Sequence, residues 1–210
     1  MTLDLEEQEQ LAALKAWWNE YGRLILLVVI GAAVAIGGWQ GWRAYQRTQA
    51  QQASGVYETL ARAAEAGDLK TVRDASGALA ESYSRTLYAS LGAFVAAHFY
   101  FERNDLKNAK AQLQWVLERS SSADMQAIAR LRLAAVQLDE GAYDDALNTL
   151  EAPHGDAYAA QFAALKGDIL VAKKQLAEAK AAYRVALDKA QGDEGAFRDS
   201  VRMRLDAIGG

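Results

Sequence analysis

The sequence contains no cysteine, one proline and two histidines. Without cysteine there is no disulfide, no thiol nucleophile and no thiolate metal site, whatever the redox compartment. His98 and His154 leave almost nothing for a zinc or non-haem iron centre. One proline among 16 glycines argues against collagen-like or proline-rich disordered character. A basic excess is also missing: 23 Lys and Arg stand against 27 Asp and Glu, so nothing calls for nucleic acid. These absences point away from an enzyme and imply no cofactor.

What is present is unevenly spread. Hydrophobic residues make up 51% of a chain whose mean hydropathy is only −0.15. Residues 1–23 carry five acidic and two basic side chains, and residues 24–42 carry none. From residue 43 on, the 168 remaining positions are nearly balanced, like an ordinary soluble domain.

The uncharged run, LILLVVIGAAVAIGGWQGW from Leu24 to Trp42, spans about 28 Å as a helix. That is close to the ~30 Å hydrocarbon core of a bilayer. Trp17, Trp18 and Tyr21 precede it, and Trp39, Trp42 and Tyr45 close it, as interfacial aromatic belts do. Arg23 and Arg43 bracket the run and can snorkel outward. Ala33-Val34-Ala35 fits a cleavage pattern, but the preceding region is acidic and long, and apolar residues continue to Trp42. An uncleaved anchor fits better. Orientation does not follow from charge, since Lys15 and Arg23 before the run nearly balance Arg43, Arg47 and Arg62 after it. Within it, Ala33, Gly37 and Gly41 recur every fourth residue, the spacing that lets two membrane helices approach closely. Upstream, Leu11, Leu14, Trp17, Trp18 and Tyr21 predict a short amphipathic surface helix.

Beyond Arg43 the chain is alanine-rich, helical in period and free of β-branched alternation. Breaks fall at Gly67-Asp68, Arg103-Asn104, Ser120–Ser122, Gly141, Pro153–Gly155, Lys173-Lys174 and Gly192. Three of the resulting segments align, sharing Ala109, Ala146 and Ala179, each followed four residues later by Leu113, Leu150 and Tyr183. Twelve residues before each alanine stands another small residue: Ala97, Ala134 and Gly167. Successive units are offset by 37 and 33 residues. Paired small residues let two helices pack tightly, while the large one fills the gap to the next unit, as in tetratricopeptide repeats. The pair over about residues 45–66 and 69–83 does not fit this pattern and reads as a divergent cap; residues 194–207 read as a capping helix. The predicted fold is all-α, a single N-terminal transmembrane helix followed by a tetratricopeptide-repeat-like α-solenoid.

Taken together, LAALKAWWNEYGRLIL, GGWQGWRAYQ, QASGVYETLARAAEAGD and YASLGAFVAAHFYFERNDLKNAKAQLQWVLE, followed by IARLRLAAVQLDEGAYDDALNTLE, carry a family resemblance. The chain resembles the YfgM-type ancillary subunits of the bacterial Sec translocon over essentially its full length. The resemblance implies a single-pass inner-membrane protein with a cytoplasmic tail (1–23), a transmembrane helix (24–42) and a periplasmic repeat domain (43–210). It also implies association with the Sec translocon and with a membrane-anchored periplasmic chaperone of the parvulin type. Newly translocated client proteins would be handed over there. The family brings no catalytic residues.

The leading expectation is therefore a membrane-anchored, non-catalytic scaffold at the site of export. The alternative is a periplasmic repeat adaptor for envelope or cell-division enzymes, which would use the same architecture. An enzyme would have to rely on Asp144-Asp145 or Asp139-Glu140, carboxylates at loop starts where Asp favours helix N-termini. No nucleophile elbow, phosphate loop or metal spacing accompanies them. The binding surface is expected along the first helix of each repeat: Leu91, Phe94, His98 and Phe101, then Ile128, Leu131, Ala135 and Leu138, then Gln161, Ala164, Asp168 and Val171. A basic clamp for a peptide carboxylate is missing from these positions, so an apolar segment of a partner or client is the expected occupant. The competing expectation is that the C-terminal helix, with Phe197, Val201 and Leu205 on one face, folds back and fills the surface as core.

Overall fold

The computed structural model describes residues 5–190 and 195–209. The break expected at Gly192 lies outside them. Among the described residues there are nine α-helices, one short 3-10 turn and no strand. The chain divides into two units between Gln49 and Ala50.

Helix α1 runs from Leu5 to Ala66 and contributes to both units. In the first unit no break separates the tail from the apolar run, and the short amphipathic helix expected there forms the first part of the longer α1. The reason is local: no proline stands between Leu5 and Ala66, and scattered glycines cost a helix only about 1 kcal/mol each. The apolar stretch has mean hydropathy 2.0 and buries nothing, and Leu27 and Val34 are among its open side chains. It is long and apolar enough to cross a membrane. Trp17 packs on Tyr21 and Trp42 on Tyr45, each pair with ring centroids 6.0 Å apart. The Arg43 guanidinium lies 4.0 Å above the Trp39 ring, so the cation at this end is held on an interfacial aromatic.

In the second unit the end of α1 pairs with α2 (Leu69–Ser82). Three further pairs follow: α3 (Leu87–Glu102) with α4 (Leu106–Arg119), α5 (Ala123–Asp139) with α6 (Tyr143–Glu151), and α7 (Ala159–Ala172) with α8 (Leu176–Lys189). Helix α9 (Gly195–Ala207) packs on α8. Contacts of α3 with α5 and of α5 with α7 make the first helices of the pairs a continuous row.

One turn is used four times. Gly67, Asn104, Gly141 and Lys174 all take a left-handed backbone with φ of 78°, 59°, 80° and 62°. After each, an N–H reaches back five residues, from Asp68 to Ala63, Asp105 to Tyr100, Ala142 to Gln137 and Gln175 to Leu170. This is the Schellman end of a helix, which satisfies carbonyls that would otherwise be orphaned. Asp68 and Asp105 then cap the next helix, accepting from Thr71 N and Asn108 N at 3.1 Å each. The first pair therefore shares the repeat's turn. Stepping back 37 residues from Ala97, Ala109 and Leu113 reaches Leu60, Val72 and Ser76, all buried. Size is exchanged there: large residues stand at the two small positions and a serine at the large one. Gly92 makes the room, for a methyl group on it would run into the Leu79 side chain and stand 3.1 Å from Leu60 Cδ2.

The aligned repeat residues are all core. Ala97, Ala134 and Gly167 on the first helices and Ala109, Ala146 and Ala179 on the second are all buried, as are Leu113, Leu150 and Tyr183. Gly167 touches the Tyr183 ring so closely that any Cβ would overlap it.

Candidate functional site

The row of first helices is not uniform along its length. At its start, the end of α1 and helices α3 and α5 line an open cavity of about 530 Å³, within the size range of ligand pockets. Four of the expected groove residues line it from α3: Leu91, Phe94, His98 and Phe101. Ala135 reaches it from α5, and Leu113 of α4 forms part of its depth. Phe94 is the floor. It is only 6% exposed and packs with Ala97, Leu113, Val116 and Leu133, so it is core as well as lining. Phe101 is half-buried and bridges two clusters of the core. His98 is exposed, with Nε2 3.3 Å from Glu102 one turn on.

The remaining expected positions lie elsewhere. Ile128 packs at the edge of the cluster below the cavity, and Leu131 and Leu138 are half-buried between α5, α6 and α7. In the last pair, Ala164 and Val171 are covered by Phe197, Val201 and Leu205 of α9. Asp168 accepts from the Tyr183 hydroxyl at 2.8 Å and from Arg204 Nη1 at 2.7 Å. Burial, then that hydrogen bond, pushes the Tyr183 phenol well above its ordinary value. Arg198 of α9 also donates to the carbonyls of Leu187 at 2.8 Å and Ala190 at 3.1 Å. The C-terminal helix thus covers the inward side of the last pair, α7 with α8, and contributes no residue to the lining of the cavity at α3 and α5.

Four lining residues escaped the repeat register: Tyr57, Val95, Arg132 and Val136. Tyr57 stands 37 residues before Phe94, in the pair the pattern did not include, and its ring meets Tyr88 with centroids 5.8 Å apart. Val136 adjoins Ala135. Arg132 lies four residues after Ile128 and three before Ala135, so helical spacing alone could have placed it on this face. Its guanidinium sits 4.6 Å from the Phe94 ring centroid. Burial pulls it below the ordinary arginine value, yet it remains a cation.

Among the described residues no cluster of His, Asp and Glu could hold a metal ion. Asp144 is paired with Lys173, and Glu140 with Lys110, so the acidic loop starts serve as surface ion pairs. The Ala33, Gly37 and Gly41 positions are on α1 in the first unit, and a methyl group on Gly37 or Gly41 would meet nothing within 4 Å.

Paired helices joined by a repeated left-handed turn, after one helix long and apolar enough to cross a membrane, define a tetratricopeptide-repeat-like protein. The family described as a tetratricopeptide repeat-like domain matches residues 15–210. The chain is similar to three ancillary SecYEG translocon subunits. That of Haemophilus influenzae is 33% identical over 186 residues, covering 89% of this chain and 91% of the relative. That of Escherichia coli is 31% identical, covering 86% and 87%, and that of Neisseria gonorrhoeae 30%, covering 99% and 100%. The chain belongs to this family of ancillary translocon subunits. No solved structure matches it.

Proposed function

We propose that the protein is a non-catalytic, membrane-anchored scaffold of the Sec translocon, linking protein export to periplasmic chaperones. The observation that carries this reading is the near full-length similarity to proteins named ancillary SecYEG translocon subunits, which spans both the apolar helix and the repeats. Residues 1–23 form a cytoplasmic tail, residues 24–42 cross the inner membrane, and residues 43–210 work in the periplasm. The repeat unit offers an apolar cavity and no reactive constellation, as suits a surface that holds other proteins. Its partners are the translocon, a membrane-anchored chaperone of the parvulin type and segments of translocating clients. Ala33, Gly37 and Gly41 form the face on which the membrane helix docks.

Mild-detergent purification with identification of the bound proteins tests the reading. Translocon subunits and a parvulin-type chaperone are expected; envelope or division enzymes in their place would overturn it. Changing Gly37 and Gly41 to Leu should weaken the membrane contact by on the order of 1–2 kcal/mol. Undiminished translocon recovery at normal expression would remove the packing face from the proposal. Alkaline phosphatase fused after Gly210 should be active, because its disulfides need an oxidising compartment. An inactive, well-expressed fusion would reverse the orientation.

A further inference from the structure

The cavity between α3 and α5 has a charge pattern that an apolar occupant alone does not use. Its lining is carbon except at a few points, and Arg132 is its one permanent charge. Among the described residues no carboxylate lies within ion-pair distance of that guanidinium, and it makes no hydrogen bond. The nearest acidic group on α3 that the cavity's rim presents, Glu102, is outside the lining and engaged with His98. The guanidinium carbon lies 4.6 Å from the Phe94 ring centroid, and among the described residues its N–H groups find no acceptor. An exposed cation held over the Phe94 ring with spare donors favours a planar anion, and the bidentate match is to a carboxylate.

We infer that the cavity takes a protein segment in which a large apolar side chain enters between α3 and α5 while a neighbouring carboxylate engages Arg132. This deepens the proposed scaffold function and rests on the cavity being its partner site. The apolar side chain replaces water against Phe94, Phe101 and Leu113, and the carboxylate supplies the counter-charge that the fold omits. Selectivity then comes from the ion pair: a segment with an amide in place of the acid leaves Arg132 unpaired under the occupant, where an unmet charge is costly. A protein segment is favoured over a single amphiphile because the cavity opens on the continuous row of first helices, along which a chain can run on past Ala135.

The test uses the full chain in detergent micelles and three fluorescent probes. These are a twelve-residue peptide containing Leu-Phe followed by one Glu, the same peptide with Gln for Glu, and an oleate analogue. The acidic peptide should bind on the order of tenfold tighter than its Gln counterpart, and raised salt should narrow the gap. Arg132→Met keeps the stem over Phe94 and should erase the preference; Arg132→Lys should restore part of it. Ala135→Trp, checked for unchanged helicity, should fill the cavity and weaken both peptides, with Leu91→Trp as a second filling variant. Equal binding of the two peptides, still lost in the filling variants, would overturn the carboxylate pairing and leave the cavity as a partner site. Binding indifferent to both filling variants would overturn the cavity reading itself. Arg132-dependent capture of the oleate analogue without peptide binding would make the occupant a lipid and overturn the proposal.

Discussion

Gly167→Ala is the substitution whose outcome most directly tests the packing rule of the repeats. In the middle of a helix this change ordinarily stabilises by about 1 kcal/mol, because alanine restricts the unfolded chain. Gly77 in α2 should show that gain, since a methyl group there meets nothing within 4 Å. At Gly167 the new carbon would stand 2.6 Å from Tyr183 Cδ1 and 2.9 Å from Cζ, and closer still to Cε1. The ring cannot retreat: it is 2% exposed, and its hydroxyl is tied to Asp168, which Arg204 holds from the other side. Overpacking of this kind costs roughly 1–3 kcal/mol, which offsets or exceeds the helix gain. The two alanine variants should therefore differ by about 1–3 kcal/mol in urea unfolding of the detergent-solubilised chain, followed by circular dichroism. Elsewhere the same site is alanine opposite leucine, as in Ala97 with Leu113 and Ala134 with Leu150. Combining Gly167→Ala with Tyr183→Leu rebuilds that pair, so the double variant should lose less than the sum of the singles by at least ~1 kcal/mol. Additive losses would refute the size-exchange reasoning, as would a Gly167→Ala variant as stable as Gly77→Ala.

Two further outcomes follow from the same geometry. Because the Tyr183 phenol is pushed up in the folded state, the unfolded chain loses that proton first, and stability should fall as pH rises above about 10. Tyr183→Phe should flatten that alkaline decline, by up to about 1.4 kcal/mol per pH unit, and an unchanged slope would mean the phenol is not held neutral by its burial. Phe94→Ala should lose roughly 3–5 kcal/mol because the ring is core, whereas half-buried Phe101→Ala should lose clearly less; equal losses would place Phe101 in the core too.

The parts of the fold that sequence disclosed are those in which one residue type has one reason. Nineteen uncharged residues between aromatic belts admit few other readings, and small residues twelve apart in three successive units point to paired helices. The joints were legible through glycine at Gly67 and Gly141, but Asn104 and Lys174 take the same left-handed turn without it. Asparagine tolerates that backbone; lysine does so only because the hydrogen bonds on either side of the turn fix it. The tail is helical as expected but not short, because amphipathic spacing tells where a helix faces, not where it stops, and nothing after Tyr21 stops it.

The candidate site was legible only in part, and the reason is compensation between positions. The first pair keeps the repeat's turn and burial but moves bulk from one helix to its neighbour, with Leu60 and Val72 large and Ser76 small. A residue-by-residue pattern scores that as a mismatch three times, although the pair as a whole packs just as tightly, helped by Gly92 on the next helix. Losing the pair meant losing Tyr57, the counterpart of Phe94, and with it one wall of the cavity. Arg132 was passed over for a related reason. Assigning the inward face by repeat register selected Leu131, which belongs to the next cluster, where helical spacing from Ile128 and Ala135 selects the arginine. What a solenoid binds thus depends on where neighbouring repeats fail to fill one another, a property of volumes summed across helices. At the α9 end Val201 and Phe197 complete that sum; between α3 and α5 nothing does, and a charge without a counter-charge stands at the opening.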